Sequence, residues 1–149
     1  MSRRSDHREG PAGRIPSIET LISEARAARC NAYVPYSGFQ VGAALLTTDG
    51  RIFHGCNVEN ASYGLCNCGE RTAFFAAVAA GVRPGEFARL VVAGDTPGPI
   101  SPCGACRQVM VELGGAGLPV TLVNLGDARL DTTAGELLPG AFAADDMAD

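Results

Sequence analysis

The run Cys68-Gly69-Glu70-Arg71-Thr72-Ala73-Phe74-Phe75-Ala76-Ala77-Val78-Ala79-Ala80 decides how this chain folds. From Ala73 on it is apolar on nearly every side, so it predicts a buried central helix over 68–80, ended by Gly81. The first turn of that helix carries a thiol, a carboxylate and a guanidinium. A second segment, Pro102-Cys103-Gly104-Ala105-Cys106, opens a further predicted helix over 103–113, closed by Gly114-Gly115. Both segments lie where a loop or strand end turns into a helix. Free N–H groups and the positive end of the dipole at such a start favour thiolate over thiol. Cys103 and Cys106 are three apart and share one face of the same turn. Cys68 joins them from the neighbouring helix. Three thiolates suit Zn²⁺, which is tetrahedral and, in a catalytic site, leaves its fourth position to water. Glu70 is then free to move protons. The plainer role for such a residue is a stabilising acid at a helix start.

A zinc ion with three thiolates carries a net negative charge, which works against acidifying its water. Arg71, one residue past Glu70, is the candidate to offset it, and Gln108, two past Cys106, is a candidate donor to a thiolate. As an alternative, either is an ordinary helix-surface residue. Cys30, Cys56 and Cys66 read as inert buried thiols, although Cys66 offers an alternative ligand. Cys103 and Cys106 also have redox-pair spacing, but an aromatic and a strand-turn before the first Cys are missing. His7 and His54 have no partner at ligand spacing and are assigned to no metal.

Working outward, apolar residues Ile18, Leu21, Ile22, Ala25 and Ala28 predict a helix over 17–32, begun by Pro16-Ser17. Phe39–Thr48 and Arg51–Cys56 read as an antiparallel hairpin turning at Asp49-Gly50. The stretch 57–67 is polar and aperiodic. Strands are expected over 89–94 and 119–125, with a last short one beginning at Leu130, and a short helix over 133–138. Strands and helices alternate after the hairpin, so the fold class is α/β: a three-layer α/β/α arrangement, a mixed sheet with helices on both faces. Residues 1–15 read as a disordered arm, 16–143 as one catalytic domain, and 144–149 as an acidic tail.

The chain has 149 residues, 46% of them hydrophobic and 19% charged, which suits a single globular soluble domain. The net charge is −4, and all twelve basic residues are Arg. Four Arg against two acids give the first 14 residues a balance of +2, leaving −6 for the rest. An acidic body argues against gripping a nucleic-acid polymer. The longest apolar runs are too short to span a membrane, and no apolar stretch of secretory type follows the charged start. The expected location is the cytoplasm, where six Cys serve as thiols and ligands more readily than as disulfides.

Five motifs, in order and with matching gaps, resemble the small homotetrameric zinc-dependent cytidine deaminases. They are Pro35-Tyr36-Ser37-Gly38-Phe39-Gln40-Val41-Gly42-Ala43, Gly55-Cys56-Asn57-Val58-Glu59-Asn60-Ala61, Cys68-Gly69-Glu70-Arg71-Thr72-Ala73, Ser101-Pro102-Cys103-Gly104-Ala105-Cys106-Arg107-Gln108 and Glu136-Leu137-Leu138-Pro139-Gly140-Ala141-Phe142. The likeness runs from about Ser17 to Phe142. It implies a five-stranded sheet between helices, and hydrolytic deamination of cytidine and 2′-deoxycytidine to uridine and 2′-deoxyuridine with release of ammonia, in pyrimidine salvage. By position it implies one Zn²⁺ per subunit on Cys68, Cys103 and Cys106, with Glu70 as proton shuttle. Asn57 and Glu59 would hold the ribose hydroxyls, Phe39 would pack on the pyrimidine, and Ala61 and the Gly69 backbone would also touch substrate. Tyr63 and Phe142 would reach a neighbouring subunit's site, making a homotetramer part of the active centre. The one departure is Gly69, where the family usually has Ala; it suggests retained activity with a looser pocket.

Three other readings compete. A deaminase of another aminopyrimidine nucleoside, such as blasticidin S, has the same centre, but Asn57 and Glu59 favour a true nucleoside. A polynucleotide editor conflicts with the acidic body. A purely structural zinc module calls for a fourth protein ligand, and the motif provides a non-ligand carboxylate instead.

Overall fold

The structure, a computed structural model, describes residues 15–148. The expected N-terminal arm, apart from Ile15, lies outside the described residues, as do His7 and Asp149 of the acidic tail.

Five strands make one mixed sheet: β1 (Val41–Thr47), β2 (Ile52–Cys56), β3 (Phe87–Gly94), β4 (Pro119–Val123) and β5 (Arg129–Thr133), in the order β2-β1-β3-β4-β5. β1 pairs antiparallel with both β2 and β3, β3 runs parallel to β4, and β5 returns antiparallel. All seven residues of β1 are buried because both faces of this inner strand are covered, which also accounts for its unbroken apolar run. On one face, α1 (Ile18–Arg29) sets Leu21 and Ala25 against Ala44, Leu46, Val91, Ala93 and Val123. On the other, α2 (Gly69–Ala79) and α3 (Gly104–Val109) bury Ala73, Phe74, Ala77, Cys106 and Met110 against Ala43, Leu45, Leu90, Val92, Val120 and Leu122. This is the three-layer α/β/α arrangement expected from the alternating pattern.

Two glycines set how closely the layers approach. A Cβ on Gly42 would lie 2.0 Å from Ala25 O in α1, and one on Gly55 would lie 2.0 Å from Gly69 O in α2. Each helix therefore rests directly on strand backbone, as only Gly permits.

Two expectations, both about helices, need correction. The helix over 68–80 is buried on one side only: Gly69, Glu70, Ala73, Phe74 and Ala77 face inward, while Phe75, Ala76 and Ala79 are exposed. An apolar run shows that a surface is to be covered, without showing that the cover comes from the same chain. The helix over 103–113 is α-helical only to Val109, and Met110–Gly114 widens into a π turn that Gly115 ends at φ 85°. The strand suggested at Leu130 spans Arg129–Thr133; its polar sequence marks it weakly because it is an edge strand. α4 (Ala134–Leu137) follows it, and the segment expected as an acidic tail forms a 3₁₀ turn over Ala144–Met147. Among the described residues no helix is long and apolar enough to cross a membrane.

Candidate metal centre and active site

Cys68 is the residue that caps the start of α2, and Cys103 caps the start of α3. Cys106 lies one turn inside α3 and is buried, and its N–H donates to Cys103 Sγ at 3.5 Å. The Cys68 and Cys103 sulfurs are 3.7 Å apart, the Cys103 and Cys106 sulfurs 3.4 Å, and all three lie within 4.8 Å of one another. Zn–S bonds of about 2.3 Å in a tetrahedron put sulfurs about 3.8 Å apart, so this donor set fits zinc without rearrangement. Among the described residues this is the one such cluster of Cys, His, Asp or Glu, and none of the six Cys forms a disulfide.

The thiols are not equivalent. Cys68 is lowered to about 5, chiefly by its hydrogen bonding with Cys106, with Arg71 adding a further hydrogen bond. The same bond raises Cys106, and burial raises it further. Arg71 Nη2 donates to Cys68 Sγ at 3.2 Å, while its buried Nε has no partner.

Glu70 is 4% exposed, and its Oε2 is 3.7 Å from Cys106 Sγ. Burial, reinforced by the Cys68 charge, pushes its carboxyl up to about 6. A carboxyl buried beside a metal-ligating cluster with a pKa close to neutrality has the properties of a proton carrier.

The backbone of Val41 passes under Gly69, since a Cβ there would be 3.3 Å from Val41 O and 3.4 Å from Cys56 Cα. The space left by the missing methyl is thus between α2 and the sheet, which differs from the looser pocket inferred from sequence. Asn57 ties the same strand entry together: its Oδ1 accepts from Val41 N at 2.9 Å, and its Nδ2 donates to Phe39 O at 2.7 Å. Phe39, 41% exposed, is presented from that stretch. Glu59 accepts from the Tyr36 and Ser37 N–H groups, each at 3.0 Å, and from Ser37 Oγ at 2.5 Å, so it shapes the 35–38 turn. These contacts hold its carboxyl below the usual range, the Ser37 hydroxyl first among them. Backbone pairs between Val58 and Asn67, and between Tyr33 and both Asn57 and Glu59, order the stretch read as aperiodic. Ala61 is exposed, as are Tyr63 at 73% and Phe142 at 59%. Tyr63 touches the Tyr36 ring edge-on at 5.7 Å.

Gln108 is not where the sequence suggested. It reaches no thiol, and its Nε2 donates to Phe142 O at 2.8 Å. Arg107, which sequence reasoning left without a role, makes three strong bonds: Nε to Pro102 O at 2.8 Å, Nη1 to Leu137 O at 2.7 Å and Nη2 to Ser101 Oγ at 2.7 Å. It fixes the loop immediately before Cys103. His54, assigned to no metal, lies 2.5 Å from Glu24 across α1 and β2.

Residues 16–121 match the family described as the cytidine and deoxycytidylate deaminase zinc-binding region. The chain belongs to this deaminase family. It is 56% identical over 130 residues to a cytidine deaminase of Sporosarcina psychrophila, a match covering 87% of this chain and 94% of the relative. It resembles the crystal structure of cytidine deaminase from Burkholderia pseudomallei at 64% identity and a TM-score of 0.84, over 85% of this chain and all of that one. A cytidine deaminase structure from Mycobacterium tuberculosis matches at 41% identity and a TM-score of 0.70, over 83% of this chain and 95% of that one. The family's zinc-binding region thus contains the three sulfurs positioned to take a metal ion.

Proposed function

We infer that this protein is a zinc-dependent hydrolase that deaminates cytidine to uridine and releases ammonia. The observation that carries the reading is the pairing of a three-sulfur cluster with one buried, non-ligating carboxyl, within a chain of the deaminase family. Cys68, Cys103 and Cys106 would hold zinc, which would supply Lewis-acid activation of water at neutral pH. Glu70 would take a proton from the attacking water to N3 of the pyrimidine, then carry the proton of the hydroxyl so formed at C4 to the departing amino group as the carbonyl forms and ammonia leaves. Its exclusion from solvent keeps those protons between water and substrate. Arg71 offsets the charge of the three sulfurs from its place beside Cys68. Phe39 packs on the base. Asn57 retains one amide N–H, and Glu59 a carboxylate lone pair, for the ribose hydroxyls. A carboxylate accepting from a hydroxyl is a charge-assisted bond that suits a sugar.

2′-Deoxycytidine is the second substrate in this reading, with pyrimidine salvage in the cytoplasm as the setting; accessible, unpaired cysteines suit a reducing compartment. Assembly as a homotetramer, with Tyr63 and Phe142 completing neighbouring sites, is supported by the exposed apolar side chains Tyr33, Tyr63, Leu65, Phe75 and Phe142. Loss of ultraviolet absorbance with cytidine, deoxycytidine, CMP and blasticidin S tests the substrate directly. Turnover of the two nucleosides is expected. Turnover of blasticidin S alone would assign the site to another aminopyrimidine.

A further inference from the structure

Two adjacent side chains of α3 reach beyond the metal centre and hold the C-terminal segment by its backbone. Arg107 grips Leu137 O and Gln108 grips Phe142 O. The stretch between these carbonyls contains Pro139 and turns at Gly140, whose φ is 66°. A short segment pinned at both ends, with a Pro-Gly turn inside, has few alternative paths. Leu137 packs against the core at one end of this segment, and at the other a surface hollow of about 320 Å³ bordered by Val109, Phe142 and Met147 lies beside the Gln108–Phe142 bond. The Phe142 ring leaves the subunit surface at the end of this bracket. The other nitrogens of Arg107 fix Ser101 and Pro102, directly before Cys103. One helix therefore sets both the sulfur cluster and the departure point of an exposed aromatic.

We propose that Gln108 is a positioning residue for deamination, acting through Phe142. It fixes where Phe142 leaves its subunit, and so how the ring meets the nucleoside in the neighbouring site. The proposal rests on the reading that Phe142 reaches that site. Gln108 makes its hydrogen bond to Phe142 O and none to the sulfurs or Glu70, so its loss is felt in substrate packing rather than in metal binding or proton movement.

The test uses full-length zinc-loaded Gln108→Met, which keeps side-chain length but has no donor, with Phe142→Ala and the double variant. Zinc content, assembly state and cytidine kinetics are measured together. Losing one amide hydrogen bond raises KM by about threefold to tenfold, while kcat and zinc stoichiometry hold. Phe142→Ala raises KM further, and the double variant is no worse than Phe142→Ala alone, because the two changes remove one route. Independent, multiplying effects in the double variant overturn the proposal. So does an unchanged KM in Gln108→Met when Phe142→Ala raises it, an outcome that leaves the Phe142 reading intact. If Phe142→Ala leaves KM unchanged, that reading falls and takes this role of Gln108 with it. Gln108→Glu, similar in size and without a donor at neutral pH, provides the same comparison should Gln108→Met fail to fold, and its unchanged KM refutes the proposal equally.

Discussion

Gly55 in β2 supports the first turn of α2 at a separation that no side chain allows. A Cβ there would sit 2.0 Å from Gly69 O, 2.6 Å from Ala73 N and 2.9 Å from Ala73 Cβ. None of these atoms can swing aside. Ordinary contact begins at 3.4 Å, so Gly55→Ala forces the helix back by about 1.4 Å. Gly69 lies between Cys68 and Glu70, and both move with it. Overpacking of this kind costs about 1–3 kcal/mol. In a domain of this size that lowers Tm by about 2–10 °C. Displacing reacting groups by about 1 Å costs about 100-fold in rate. Gly55→Ala is therefore expected to lower kcat/KM for cytidine by about 100-fold or more and to weaken zinc retention. Gly69→Ala is the matched control. Its methyl meets Val41 O at 3.3 Å, which a shift of a few tenths of an ångström relieves. The gain in helix propensity, about 1 kcal/mol, offsets that strain, so activity and Tm stay near those of the parent. Spectrophotometric deamination and thermal melting of the two proteins side by side decide the matter. Full activity and an unchanged Tm in Gly55→Ala would refute the close-approach argument.

Glu70→Gln should abolish turnover with zinc retained, and should stabilise the metal-free protein. Burial raises the Glu70 carboxyl from 4.5 to about 6, so the folded state binds its proton more tightly than the unfolded state. The group therefore does no harm below about pH 4.5 and costs stability that is complete above about pH 6, roughly 2 kcal/mol at about 1.4 kcal/mol per pKa unit. Melts of chelator-treated protein should show Glu70→Gln ahead of the parent at pH 8 and level with it near pH 4.5; equal Tm values at both would contradict this. Metal binding deprotonates the sulfurs, and Cys106 is raised above its ordinary value, so zinc affinity should climb, with proton release, as the pH rises through neutrality. Calorimetry in buffers of different ionisation enthalpy measures that release, and an affinity flat across this range would contradict it.

The parts of the fold written in local sequence were the readable ones. Cys103 and Cys106 are three apart, so one helix turn brings them together wherever it lies, and Cys68 and Glu70 fall in the first turn of one helix. The apolar run of β1 reads directly as an inner strand. What could not be read depends on partners far along the chain. Gly55 looks like any glycine until α2 rests on it. Gln108 sits in the metal-site motif, yet its hydrogen bond goes to a backbone carbonyl thirty-four residues away. Asn57 and Glu59 resemble ribose ligands and also build the loop that carries Phe39. The exposed stripe Phe75-Ala76-Ala79 is invisible in a run that is apolar from Ala73 on, because composition alone does not say which side of the helix meets the sheet.

The most direct test of the central claim is cytidine deamination by the purified protein as isolated, after zinc is stripped by chelation, and after one equivalent per subunit is restored. Turnover should be lost on stripping and regained with zinc, and should stay absent in zinc-loaded Glu70→Gln. Turnover that survives complete removal of zinc, or zinc-loaded wild-type protein that does not deaminate cytidine, would contradict it.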